Sequence, residues 1–341
     1  MAKYTINDTT LTSIADAIRA KGGTSAALTP AQMPEAIEAI QAGGGGGDDL
    51  AKQIIEDTVT EISDNTITRI RGYAFAGASI KGVDFPKCTQ IGPSAFLFCT
   101  SLESIDFPLC ASIGDSAFSG CEELSNAVFP VCESLQNSTF YGCEKLKTAD
   151  FPVCSVVGSG AFNRCFSLET ISFPACTNIS SNAFMACSAL KSADFPLCTS
   201  VGSSIFGGCS SLTSISFPVC SSFKDGAFSN CRSLEKAELP ACTAVPTNMF
   251  VRCSKLSQVI LQACTNISTL AFASCSVLSA LVLNGSSLCV LGSSGAFSRT
   301  PIAFGSGHIF VPSSLVASYQ AATNWTYFSN QISAIEDSEF A

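Results

Sequence analysis

The chain has 341 residues, 47% of them hydrophobic and only 13% charged, with a net charge of −9; an ordinary domain carries about a quarter charged residues. That acidic balance speaks against a basic face for nucleic acid or for an anionic membrane, and no apolar run is long enough to span a bilayer. One histidine and nineteen cysteines without a C-x-x-C pair speak against a zinc centre.

Residues 1–42 differ in composition from the rest. Leu11, Ile14, Ala15 and Ile18 have helical spacing, and the pattern stops at Gly22-Gly23. Thr29-Pro30 is a second helix start, threonine as N-cap and proline at the first helical position. Met33, Ile37 and Ile40 then form another apolar stripe. The segment reads as a helical hairpin too small to be very stable alone, suited to docking or to self-association into a homo-oligomer. The first residues show no apolar h-region and no cleavage pattern of a secretory signal. Residues 43–49, with five consecutive glycines and then Asp48-Asp49, read as a flexible linker.

Residues 50–300 read as a repeat solenoid. Leu50 to Gly72 alternates polar and apolar residues (Ile54, Ile55, Val59, Ile62, Ile67, Ile70) and is expected to form the first capping strands. From Cys88 to Cys275, eighteen cysteines fall every 11 residues, two in each 22-residue unit. Phenylalanines stand 22 apart from Phe96 to Phe272, each with a cysteine three residues later and a leucine three residues after that. A second aromatic column precedes proline, from Phe85-Pro86 to Phe217-Pro218, then continues as Leu239-Pro240. Self-similarity at this period means that stacked units bury a common core. The L-x-x-I-x-F stretch alternates like a short strand, and proline ends it because it cannot donate to a ladder. Strands about 4.8 Å apart make ten coils roughly 50 Å long. Gly92, Gly114, Gly158 and Gly202 read as turn positions needing positive φ. A-F-x-x-C reads equally as one turn of helix or as extended chain.

A longer period overlies the short one. Lys147-Thr-Ala-Asp150 recurs as Lys191-Ser-Ala-Asp194, and Thr170-Ile-Ser172 as Ser214-Ile-Ser216, so a 44-residue double unit was duplicated. Its bulky and small residues read as core packing at constant volume. The cysteines read as reduced packing groups, since parallel Cβ vectors between coils suit a disulfide poorly. Residues 301–341 read as a C-terminal cap: a last strand at His308–Pro312, a short capped helix at Ser313–Tyr319, and Trp325, Tyr327 and Phe328 as a plug over the core.

The core A-F-x-x-C-x-S-L-x-x-I-x-F-P, as in Ala95-Phe96 through Phe107-Pro108, resembles the BspA-like bacterial leucine-rich repeats, first recognised in spirochaete and oral-bacterial surface proteins. The resemblance covers about residues 60 to 300. It departs from the pattern at Leu239, Leu261 and Gln262, and in the 25-residue gap from Phe272 to Phe297, as terminal coils do. It implies a leucine-rich-repeat solenoid whose strands line one face and recognise ligands through their outward residues. The segment D-T-T-L-T-S-I-A-D-A-I-R-A-K-G-G, followed by L-T-P-A-Q-M-P-E-A-I, is similar to a module at the front of tail-associated proteins of phages and prophages of Gram-positive gut bacteria. Val311 to Trp325 is similar to the end of repeat proteins from those genomes.

No enzyme constellation is present. His308 would have to fill every histidine role, and no G-x-S-x-G elbow or phosphate loop accompanies it. No cofactor and no metal is expected. The acidic column Asp84, Asp106, Asp150, Asp194 and Glu238 is spaced by two coils after Asp106, too far apart for shared calcium ligands, and reads as a solvated face. The expected contact surface is the outward strand positions: Ser104, Asp106, Asn126, Thr148, Asp150, Thr170, Ser172, Ser192, Asp194, Ser214, Ser216, Lys236 and Glu238. The alternative is a variable strip between phenylalanine and cysteine, holding Phe98, Tyr141, Asn163, Arg164, Met185 and Arg252, with Phe166 just beyond. The expected function is non-enzymatic binding. In the first reading a phage tail protein attaches to a glycan or protein of a bacterial surface, with residues 1–42 docking to other tail proteins and the mature protein in the virion. In the alternative reading it is a cell-surface adhesin for host protein or mucin.

Overall fold

The L-x-x-I-x-F segments form strands, as their alternation predicts, but the coils carry a second ladder as well. The computed structural model describes residues 60–340; the hairpin of 1–42, the linker of 43–49 and the strand positions Ile54, Ile55 and Val59 lie outside the described residues. The chain divides into two compact units, one ending at Phe173 and one beginning at Pro174.

In the first unit, Glu61–Ser63, Gly82–Asp84 and Ser104–Asp106 pair in parallel, as do Asn126–Val128, Thr148–Asp150 and Thr170–Ser172. In the second, Ser192–Asp194 pairs with Ser214–Ser216, and the four-residue strands Lys236–Leu239, Gln258–Leu261, Ala280–Leu283 and His308–Val311 follow. Among the described residues, six such strands in each unit, the cap strand Ile332–Ala334 apart, make twelve coils, where the sequence suggested ten. The second ladder is built of two-residue strands such as Gln90–Ile91, Ser112–Ile113 and Ser134–Leu135 in the first unit, and Ala244–Val245 with Asn266–Ile267 in the second. Two residues are too few to show a period, which is why this ladder went unread.

Gly92 and Gly114 serve that ladder, though not through positive φ as expected. A Cβ on Gly114 would lie 2.5 Å from the Pro93 nitrogen, and one on Gly92 would strike the backbone of Gly72. They are small because one coil's backbone lies against the next. The left-handed residues stand elsewhere, two per coil and four residues apart: Ser94 and Phe98, Ser116 and Gly120, Ser138 and Gly142, Gly160 and Arg164 in the first unit. They bracket A-F-x-x-C, which is neither helix nor strand but a run of turns. Its alternate N–H groups face the next coil: Ser94, Phe96 and Phe98 donate to the carbonyls of Asp115, Ala117 and Ser119 at 2.8, 2.7 and 2.8 Å.

Two phenylalanine columns fill the first unit. Phe75, Phe96, Phe118, Phe140 and Phe162 stack at centroid distances of 5.0 to 5.3 Å. Phe85, Phe107, Phe129, Phe151 and Phe173 form the other column; Phe75 and Phe85 lie at 23°, but from Phe96 on rings of the two columns meet steeply, as Phe162 meets Phe173 at 71°. All are buried. Of the alternating strand centres, Ala127, Ala149, Ala193 and Ala237 are buried, whereas Ile105, Ile171 and Ile215 remain half-exposed; the bulkier residue reaches out of the core instead of filling a constant volume.

The cap closes the second unit. Trp325 Nε1–H donates to the Cys289 carbonyl at 2.7 Å, the Cys289 N–H donates to the Tyr319 hydroxyl at 2.9 Å, and Phe328 meets Phe297 edge-on. Tyr327 is not part of the plug: it is 71% exposed. His308–Val311 is not the last strand, since Ile332–Ala334 pairs beyond it. The helix Val316–Ala321 follows a 3-10 turn with no side-chain cap; the Ser313 N–H donates instead to the Glu336 carboxylate at 3.2 Å. Among the described residues no helix is long and apolar enough to cross a membrane.

Candidate functional site

The cysteines belong to the interior. All nineteen are free and buried. In one column the thiol donates to the phenylalanine carbonyl of the preceding coil, as Cys121 does to Phe96 at 3.1 Å and Cys143 to Phe118 at 3.2 Å. In the other it donates within its own coil, as Cys154 does to Val156 at 3.2 Å. Cysteine thus supplies what alanine or valine cannot: small apolar bulk together with a proton for a buried carbonyl. Burial pushes Cys99 and Cys132 up to about 12, so these thiols stay neutral and lack the thiolate that nucleophiles and metal ligands need. No group of His, Cys, Asp or Glu among the described residues is arranged to hold a metal ion. His308 is exposed and lies beside the Phe310 ring at 5.8 Å.

The predicted strand face lies outward. In the first unit Ser104, Asp106, Asn126, Thr170 and Ser172 are exposed, and Thr148 and Asp150 half-exposed. Thr148 Oγ1 donates to Asn126 Oδ1 at 2.8 Å across the ladder. In the second unit Ser192, Asp194, Ser214, Ser216, Lys236 and Glu238 are exposed, with Lys236 and Glu238 3.5 Å apart, a solvated pair of small energetic weight. One residue of this face was missed: Val128, 52% exposed, stands in register with Asp150. Its neighbours in the column, Asp106, Asp150 and Ser172, are polar, and only an alignment of the coils shows the valine among them.

The variable strip lies on the turn side. Phe98 is 45% exposed, Met185, Arg164 and Arg252 are exposed, and Tyr141 and Asn163 are half-exposed. Arg164 sits 5.8 Å from the centre of the Phe166 ring. Phe98, Arg164 and Arg252 are left-handed, with φ of 56°, 64° and 61°, at the position that Gly120, Gly142 and Gly208 occupy in other coils. An L side chain there costs about 1–2 kcal/mol. Two further features escaped the sequence reading. The residue between proline and cysteine is an exposed apolar one in coil after coil (Leu109, Val131 and Val153 in the first unit, Leu197 and Val219 in the second). An open groove of about 620 Å³ in the first coils is lined by Arg69, Arg71, Gln90 and Ser112 among others.

The model of the BspA-type leucine-rich repeat region, six copies long, matches residues 68–191 and 177–301. No curated protein matches the chain. Among solved structures, a leucine-rich repeat protein from Bacteroides ovatus is similar at 23% identity and a TM-score of 0.59, over 82% of this chain and 84% of that one. A leucine-rich cell surface protein of Faecalibacterium prausnitzii shares 20% identity over 80% and 90% of the two chains (TM-score 0.46). The pneumococcal vaccine antigen PcpA shares 16% over 81% and 77% (TM-score 0.48). At its identity the likeness to the Bacteroides ovatus protein concerns the fold alone.

Proposed function

The chain belongs to the BspA-type leucine-rich repeat family, and from that premise we propose that it is a non-enzymatic binding protein that attaches to a glycan or protein of a bacterial surface. The observation that carries this reading is the pairing of a rigid, thiol- and ring-filled interior with outward ladders of small hydrogen-bonding side chains, Asn126, Thr148 and Thr170 among them. Such positions present hydroxyl and amide groups to a polar partner while the frame holds their spacing.

The setting we propose is a phage or prophage tail. It rests on the sequence of residues 1–42 alone, with the hairpin docking to other tail proteins and the glycine linker giving reach. The test is binding of the labelled full chain to cells and purified wall polymers of Gram-positive gut bacteria, with mucin in parallel. Saturable binding to cells is expected. Binding to mucin alone moves the reading to a host-directed adhesin, and binding to neither removes it. Tail and lysis genes beside this gene are the expected neighbourhood; a sortase or transporter there favours the adhesin.

A further inference from the structure

We propose that the turn side of the first unit holds a notch for a neutral saccharide, walled by Phe98 and by the Arg164–Phe166 pair and floored by Gly142. The proposal rests on the binding reading above and names the place and the ligand class.

The order of the notch is fixed by backbone hydrogen bonds. The Phe98 N–H donates to Ser119, that of Gly120 to Tyr141, and that of Gly142 to Asn163, at 2.8, 2.7 and 2.8 Å. Phe98, Gly120, Gly142 and Arg164 therefore stand in successive coils, each step about 4.8 Å. The Phe98 ring leans across Gly120: a Cβ there would run into ring atom Cδ1. Gly120 is what allows the ring to lie over its neighbour. At Gly142 the space is open, since a Cβ would meet no heavy atom within 4 Å. Beyond it the Arg164 guanidinium is backed by the Phe166 ring at 5.8 Å. Along the backbone, Gly120, over which the ring lies, and Arg164 are two coil steps apart, about 10 Å.

The chemistry of the walls selects the ligand. An exposed ring offers a flat apolar surface to the C–H face of a sugar, and a guanidinium offers several donors to hydroxyls. Glu122 and Glu144, exposed and one residue past the cysteines of the two middle coils, add acceptors and disfavour a polyanion.

The experiment titrates the full chain with neutral hexasaccharides of glucose and of N-acetylglucosamine, and with protease-stripped cells, comparing wild type with Phe98→Gly, Arg164→Gly and Gly142→Asn. Glycine relaxes the left-handed positions, so the first two variants keep or raise their melting midpoints. Asparagine tolerates φ of +70° while filling the floor. Saccharide binding weakened about tenfold or more in each supports the notch. Variants that bind saccharide as wild type does overturn it, as does a wild-type chain that binds neither the saccharides nor stripped cells. If intact cells are still bound equally by wild type and variants, only the notch fails; if wild type binds no cells at all, the underlying binding reading fails.

Discussion

The coils of residues 82–173 and those of 236–311 use one frame with different fillings. In the first region Phe85, Phe107, Phe129 and Phe151 interleave with the other ring column, and the strands stop after three residues, just before these rings. In the second, Leu239, Leu261 and Leu283 replace the ring and the strands run to four residues. Where asparagine replaces proline, the ladder gains a donor: the Asn284 N–H reaches the Leu261 carbonyl at 2.9 Å. The remaining ring column continues, at spacings of 5.4 to 5.6 Å from Phe228 to Phe297. The comparison teaches that one aromatic column, the leucines and the thiols suffice to hold a coil. The second ring column adds bulk, and the strands that lead into it are three residues long.

The largest expected effect bears on what the two regions share. Burial raises Cys99, Cys110 and Cys132 in the first region and Cys242 in the second to about 12, and Cys154 to about 11. A raised folded value means that their contribution is complete below the unfolded value near 8.5 and is lost as pH climbs toward 11–12. In that window the unfolded chain releases protons that the folded chain keeps. Each such thiol then removes up to about 1.4 kcal/mol per pH unit. Melting midpoints between pH 7.5 and 10 should fall steeply, and a flat profile would show that the thiols are not held in the core.

The next effects separate the regions. Phe162→Ala should cost about 3–5 kcal/mol in denaturant unfolding, because this ring touches Phe140, Phe151 and Phe173; a loss below about 1 kcal/mol would place the column outside the core. Leu261→Phe, which imposes the first region's filling on the second, should overpack a fully buried site and cost about 1–3 kcal/mol. If it is neutral instead, the two fillings are interchangeable. The smallest effect, about 1 kcal/mol, is expected for Asn284→Pro, read as faster amide exchange confined to Gln258–Leu261 and its partner strand.

The frame was legible because it repeats: the cysteine ruler, the phenylalanine columns and the outward position of Thr148 or Ser192 follow from period alone. What was missed lies either below the length at which a period shows, as in Ser112–Ile113, or in single columns that a consensus averages away. Val128 and Leu109 are invisible to a pattern that records only the common residue. The left-handed backbone of Phe98 could not be read from Phe98; it is betrayed by glycine in the same column at Gly120 and Gly142. The lean of its ring depends on a glycine 22 residues later, a relation that only the stacked coils create. The cap misled for a simpler reason: Trp325, Tyr327 and Phe328 are all aromatic, and only the kinked 3-10 segment decides which two turn inward.

The thiol-to-carbonyl bond between coils has a consequence for the gene. Each coil hands its successor the same carbonyl and receives the same sulfur proton, so any two coils present matching ends. The loss or gain of 22 codons, or of the 44 that carry the Ala-Asp and Ile-Ser alternation, rejoins a whole rung to a whole rung. A chain shortened or lengthened in such steps keeps the same contact between neighbouring rungs.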